Sequence, residues 1–85
     1  MSRTNLYRAD LFGANMKGAD LQGATLRCAD LRCADLTDAD LRSTDLADAD
    51  LRGARLTGVR LDYARLEGTR FSDDINPLDL VTRSK

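Results

Sequence analysis

An apolar residue stands at every fifth position from residue 6 to residue 71, twelve Leu together with Met16 and Phe71. Two residues before each lies a small side chain: Ala in ten repeats, Thr at 4, 44 and 69, and Val59. The residue just before the apolar one is Asp or Asn in nine of the fourteen repeats, and the two after it are mostly polar. A period of five suits neither regular element. On an α-helix a five-residue step turns about 500°, a net of about 140°, so successive Leu scatter around the axis. On a straight strand an odd step points successive Leu to opposite faces. The series can be buried together only if the chain bends once per repeat and each bend restores the inward direction. Coils closed by a few such bends, stacked on one another, bury one continuous column per face, which is the logic of a repeat solenoid.

The remaining positions fit a bend. All six Gly (13, 18, 23, 53, 58 and 68) fall two residues after the apolar one. A type II turn needs positive φ at its third residue, and Gly supplies it without steric cost. Asp and Asn just before the apolar residue are suited to bonding back to nearby backbone N–H groups. The corners at Cys28, Cys33, Asp38, Ser43, Asp48 and Tyr63 carry a Cβ, which makes positive φ costly, so they are expected to turn with negative φ there.

Runs such as Ala19-Asp20-Leu21-Gln22-Gly23 and Ala29-Asp30-Leu31-Arg32-Cys33 match the pattern A-(D/N)-L-x-x, and the chain resembles the pentapeptide-repeat family over residues 4–73. The resemblance implies an all-β solenoid, a right-handed quadrilateral β-helix with four repeats per coil and about three and a half coils. At a coil spacing of roughly 4.8 Å that stack is only about 17 Å long. The domain division is then a β-helix over residues 1–73 and a C-terminal capping tail over 74–85.

Composition narrows the chemistry. There is no His and no Trp, so the commonest general base and the commonest metal ligand are missing. Cys28 and Cys33 are the only thiols, and two thiols make no zinc site. Both fall on outward corners of neighbouring faces, a placement that does not suit a disulfide. No nucleophile–base set, phosphate loop or metalloprotease helix is present. The Asp residues repeat with the scaffold, whereas a catalytic carboxylate pair needs two distinct environments. No enzymatic activity, cofactor or metal is expected. No apolar run is long enough for a membrane span, and the start does not read as a signal peptide, so a cytoplasmic protein is expected.

Net charge is −1, but it is unevenly spread. Residues 1–50 carry six basic and nine acidic groups, and residues 51–85 carry seven and five. The change is sharpest just before the apolar residue, where a run of Asp gives way to Arg55, Arg60, Arg65 and Arg70. With twenty residues per coil, Asp35 lies under Arg55, Asp40 under Arg60, Asp45 under Arg65 and Asp50 under Arg70. Opposite charges on neighbouring strands are mildly stabilising. This predicts ion pairs relieving an Asp ladder; the alternative is a basic collar for an acidic partner surface.

A solenoid leaves an open coil at each end. At the C-terminal end Phe71 takes the last core position. Asn76-Pro77 begins a short helix over residues 76–83, with Leu78 and Val81 lying over the final coil. At the other end only Met1-Ser2-Arg3 precede the repeat, too few to cover Leu6, Leu11, Met16 and Leu21. Tyr7 and Phe12 add outward aromatics in the same coil, making this end the candidate interface.

The expected function is a non-enzymatic protein-interaction or scaffold module with a protein partner. It is expected to self-associate as a homodimer by an isologous contact of two N-terminal ends, or to form part of a longer chain. The family resemblance adds two alternatives. One is a DNA mimic that modulates a type II topoisomerase such as gyrase. The other is the C-terminal repeat domain of a BTB-type ubiquitin-ligase adaptor. Direct nucleic-acid binding lacks a basic balance and interleaved aromatics.

Overall fold

The computed structural model of the chain describes residues 4–75. Each repeat makes one tight turn that starts at its apolar residue. The N–H of Ala9 donates to the Leu6 carbonyl at 3.0 Å, and the same bond recurs in every repeat up to Thr69 N–H on Leu66. Ten parallel bridges join these repeats, every one between residues twenty apart, from Asn5 with Thr25 to Asp50 with Arg70. Four corners therefore complete one circuit and bring the chain back above itself. A corner every five residues leaves room for a single bridged residue per side, so the walls are ladders of isolated bridges.

Each contact between coils uses three backbone bonds per side. On the first side Leu6 N–H donates to the Thr25 carbonyl (2.8 Å), Arg8 N–H to the Arg27 carbonyl (2.9 Å), and Thr25 N–H to the Thr4 carbonyl (2.9 Å). The corner peptide takes part through both of its ends, and this settles the turn type. Every corner from residue 8 to residue 68 has positive φ, between 61° and 76°, at its third residue. Seven of these are not glycine: Arg8, Cys28, Cys33, Asp38, Ser43, Asp48 and Tyr63. The expected negative φ at the non-glycine corners is incorrect. A type I turn differs from type II by a flip of its central peptide. At Cys28 that flip would turn the N–H away from the Ala47 carbonyl (3.0 Å) and turn the Arg27 carbonyl away from Arg8 N–H. Two ladder bonds at about 0.5–1.5 kcal/mol each, plus the desolvation of groups left facing their own kind, outweigh a left-handed strain of about 1–2 kcal/mol.

The core is one Leu column per face. Leu21, Leu26, Leu31, Leu36, Leu41, Leu46 and Leu51 are 0–1% exposed, and Ala24, Ala29, Ala34, Ala39 and Ala49 fill the spaces between them equally buried. Thr44 replaces Ala in this set and is fully buried; its hydroxyl donates to the Leu21 carbonyl at 3.0 Å. Thr69 repeats the arrangement on the Leu46 carbonyl at 2.7 Å. A β-branched polar residue is tolerated there because the solenoid supplies its acceptor. Leu6, Leu11 and Met16 in the first coil, and Leu66 and Phe71 in the last, are only half-buried.

The repeat ends one turn early. The last turn spans Ser72 to Ile75, with Ile75 N–H on the Ser72 carbonyl (3.0 Å), one residue later than the period demands and without positive φ. Gly53 N–H is received by the Ser72 hydroxyl (2.7 Å) where a carbonyl serves elsewhere. Ile75, like Phe71, packs partly buried against the core. The helix expected over residues 76–83, with Leu78 and Val81, lies outside the described residues.

Truncating a middle column tests this core. Leu36→Ala is expected to lower the unfolding free energy by about 2–5 kcal/mol in urea titration. Leu6→Ala, at a half-exposed site, should cost roughly half of that or less. The corners give a second test in thermal melts. Ser43→Val is expected to lower the midpoint, because a β-branched residue resists positive φ, whereas Ser43→Asn should leave it nearly unchanged.

Candidate interaction surfaces at the two ends

The structure separates the two candidate surfaces: the aromatic-bearing first coil lies at one end and the four Arg at the other. In the first coil Leu6, Leu11 and Met16 expose part of their side chains, while Leu21 is buried at 1%. Tyr7 and Phe12 point outward, 53% and 56% exposed. Neither is a bare ring. The Arg8 guanidinium sits 5.8 Å from the Tyr7 ring centre, and Arg32, one coil above, sits 5.1 Å from that of Phe12. Such contacts are attractive through the ring quadrupole and hold the aromatics against the wall. Along the same edge the N–H and carbonyl of Asn5, Asp10, Asn15 and Asp20, and the carbonyls of Tyr7, Phe12, Lys17 and Gln22, have no backbone partner among the described residues.

The carboxylates serve the turns. All nine Asp and Asn before the apolar residue accept the backbone N–H two residues on, from Tyr7 on Asn5 (3.1 Å) to Arg52 on Asp50 (3.2 Å). Three also take a two-pronged guanidinium from that same residue. Arg32 meets Asp30 at 2.9 and 2.9 Å, Arg42 meets Asp40 at 2.8 and 2.7 Å, and Arg52 meets Asp50 at 2.9 and 2.6 Å. Both partners lie on one side of the same wall, two residues apart, so the fork needs no movement of the backbone. The bonds from Arg32 hold the Asp30 carboxyl down at about 2. Those from Arg42 and Arg52 lower Asp40 and Asp50, and the Thr37 hydroxyl, at 2.6 Å, does the same for Asp35.

The ion pairs expected between stacked coils do not form. Asp35, Asp40, Asp45 and Asp50 are bridged to Arg55, Arg60, Arg65 and Arg70 as the register requires, yet none of the four pairs is a salt bridge. Asp40 and Asp50 are already held by the Arg two residues on, and Asp35 by Thr37. Asp45 instead meets Arg27 at 3.5 Å, the one ion pair between coils among the described residues. Arg65 turns to Glu67 on its own strand (3.3 Å). Arg55, Arg60 and Arg70 make no side-chain hydrogen bond or salt bridge among the described residues, although the charges of Arg55 and Arg60 help lower the carboxyls of Asp35 and Asp40 beneath them. The signal that could have identified the real pairs is the tripeptide Asp-Leu-Arg at 30–32, 40–42 and 50–52.

At the C-terminal edge the N–H of Leu56, Gly58, Leu61, Tyr63, Leu66, Gly68 and Phe71 and the carbonyls of Ala54, Val59, Ala64 and Thr69 have no backbone partner among the described residues. Tyr63 projects from its corner, 88% exposed. Cys28 and Cys33 are free thiols on exposed corners. No group of three or more Cys, Asp and Glu among the described residues is placed to hold a metal ion. The chemistry available is that of a surface: hydrogen-bonding edges, paired charges, rings and a partly open core.

The lowered carboxyls set a sign for acid stability. Their folded values lie below the unfolded value of about 3.9, so their contribution is complete above that pH and is lost as pH falls, because the unfolded chain takes up protons that the folded one does not. Thermal midpoints are expected to stay flat from neutral pH to about 5 and to fall progressively from about 4 towards 2. Arg32→Gln should lower the neutral-pH midpoint slightly and make the acid fall shallower, because Asp30 no longer titrates so far below its unfolded value, read by circular dichroism melts.

Comparison with known proteins bears on what such a surface belongs to. The family model for pentapeptide repeats matches the chain in eight copies, over residues 4–42 and 34–73. No curated protein matches it. Among solved structures, a pentapeptide repeat protein of the Arabidopsis thaliana thylakoid lumen is 35% identical with a TM-score of 0.81, covering 87% of this chain and 52% of its own. A pentapeptide repeat protein from Nostoc PCC 7120 is 34% identical with a TM-score of 0.51, covering 92% and 82%. HetL, involved in heterocyst differentiation regulation in Nostoc sp. strain PCC 7120, is 32% identical with a TM-score of 0.55, covering 87% and 41%. This chain spans about half the length of the Arabidopsis protein. The likeness carries the right-handed, four-sided β-helix over to this chain.

Proposed function

The chain belongs to the pentapeptide-repeat family, generally non-catalytic structural modules, and from that premise we propose that it is a protein-interaction module that associates through an end coil. The observation behind this reading is the contrast between coils. Leu26 to Leu51 are covered above and below, whereas Leu6, Leu11 and Met16 are half-open beside a backbone edge that has no partner among the described residues. At four repeats per circuit the fourteen repeats make about three and a half coils, close to the minimum at which stacking outweighs chain entropy. A solenoid this short gains proportionately from covering an end. The DNA-mimic alternative loses support from the side chains, because Asp30, Asp40 and Asp50 each carry their own Arg and so present no bare acidic stripe.

Sedimentation of the full chain over a range of concentrations tests the reading. Reversible association is expected. Leu11→Glu should weaken it at least about tenfold, equivalent to about 1.4 kcal/mol, by placing a carboxylate in the contact. Phe12→Glu is the gentler variant, since it leaves the core intact. A monomer at every concentration would refute self-association.

A further inference from the structure

The two ends of the solenoid are chemically opposite, and we propose that the N-terminal edge of one copy docks on the C-terminal edge of another, head to tail. This rests on the self-association reading above and replaces the meeting of two N-terminal ends. Within the stack the lower coil gives two N–H groups and one carbonyl to each side of the contact. Leu31 N–H, Cys33 N–H and Ala29 carbonyl pair with Asp50 carbonyl, Arg52 carbonyl and Asp50 N–H. The first coil therefore shows the opposite surplus at its free edge, as in the Asp10 N–H, Asp10 carbonyl and Phe12 carbonyl. The last coil shows two donors and one acceptor, as in Leu61 N–H, Tyr63 N–H and Val59 carbonyl. Two N-terminal edges would set carbonyls against carbonyls. Opposite edges match group for group, by the same three bonds that already join every pair of coils inside the molecule.

The side chains carry the same polarity. The first coil places Asn5, Asp10, Asn15 and Asp20 at its bridging positions, and the last places Arg55, Arg60, Arg65 and Arg70 at its own. Whichever quarter-turn seats one copy on the next, this ring of amides and carboxylates lies over a ring of four guanidinium groups. Three of those, Arg55, Arg60 and Arg70, make no side-chain hydrogen bond or salt bridge among the described residues. The first coil's two cations do not oppose this. Lys17 falls over an outward position, where the last coil holds Thr57, Asp62 and Glu67, and Arg8 over a corner, where it holds Gly58, Tyr63 and Gly68. The half-buried Leu6, Leu11 and Met16 then meet the half-buried Leu66 and Phe71. A head-to-tail contact is heterologous and does not close on itself, so each added copy leaves the same two edges free.

Three measurements on the full chain decide it. In sedimentation velocity the mass should rise past that of a dimer as concentration rises, and added salt should weaken the association, because opposite charges are being screened. A paired charge reversal locates both ends. Asp10→Arg with Asp20→Arg, and separately Arg60→Asp with Arg70→Asp, should each weaken association at least tenfold, while an equimolar mixture of the two proteins restores it. Circular dichroism checks that each variant folds; should either fail, the growth and salt series on the unaltered protein still decide. A complex that stops at a dimer, strengthens with salt and ignores the Arg60/Arg70 reversal overturns the head-to-tail contact while leaving self-association intact. A monomer throughout, with residues 76–85 or a different chain occupying the basic end, overturns both.

Discussion

The central peptide of each corner is the element on which everything else hangs. Its carbonyl receives a bond from the coil below and its N–H donates to the coil above, so its orientation is shared by the whole wall. That single requirement fixes positive φ at the third turn residue, which in turn fixes the inward return of the chain after five residues and the closure of a circuit after twenty. The Leu columns follow from the closure rather than cause it: side chains can stack in register only because the corners repeat without variation.

Around this frame the Asp side chains act first as turn braces and only second as charges. Each caps the N–H two residues ahead, and where an Arg occupies that residue the same carboxylate is also held by a fork. The last four repeats substitute Arg for Asp and give up the brace. Their corners are held by the ladder below and by the bond across each turn, and the guanidinium groups of Arg55, Arg60 and Arg70 make no hydrogen bond or salt bridge among the described residues. Charge asymmetry and loss of the brace are thus two results of one replacement at one position of the repeat.

The period of five, the inward Leu and the bracing Asp were all legible from the chain, because each depends on spacing along it. The corner φ at Cys28 or Tyr63 was not. Judged singly, a Cβ at that site argues for another turn; the deciding bonds come from residues about twenty positions away. The ion pairs misled for a related reason. Register places Asp50 beside Arg70, but Arg52 reaches the same carboxylate from its own strand and occupies it first. At the C-terminal end Ser72-Asp73-Asp74 reads as one more repeat, and nothing in its composition announced the one-residue slip that seats Ile75 on the core. The placement of the interface residues at one end and the basic collar at the other follows directly from their order along a solenoid.

Corners built with Arg, Cys, Asp, Ser and Tyr as well as with Gly have a consequence for how such a molecule can change. Because the backbone is held by its neighbours, the two outward residues of each repeat accept many different side chains, provided the corner residue tolerates positive φ. Mutation can rewrite those columns while the three inner positions stay untouched. A lineage can therefore alter whom it recognises without first repairing its scaffold, and the outer wall can drift towards new ligands one side chain at a time.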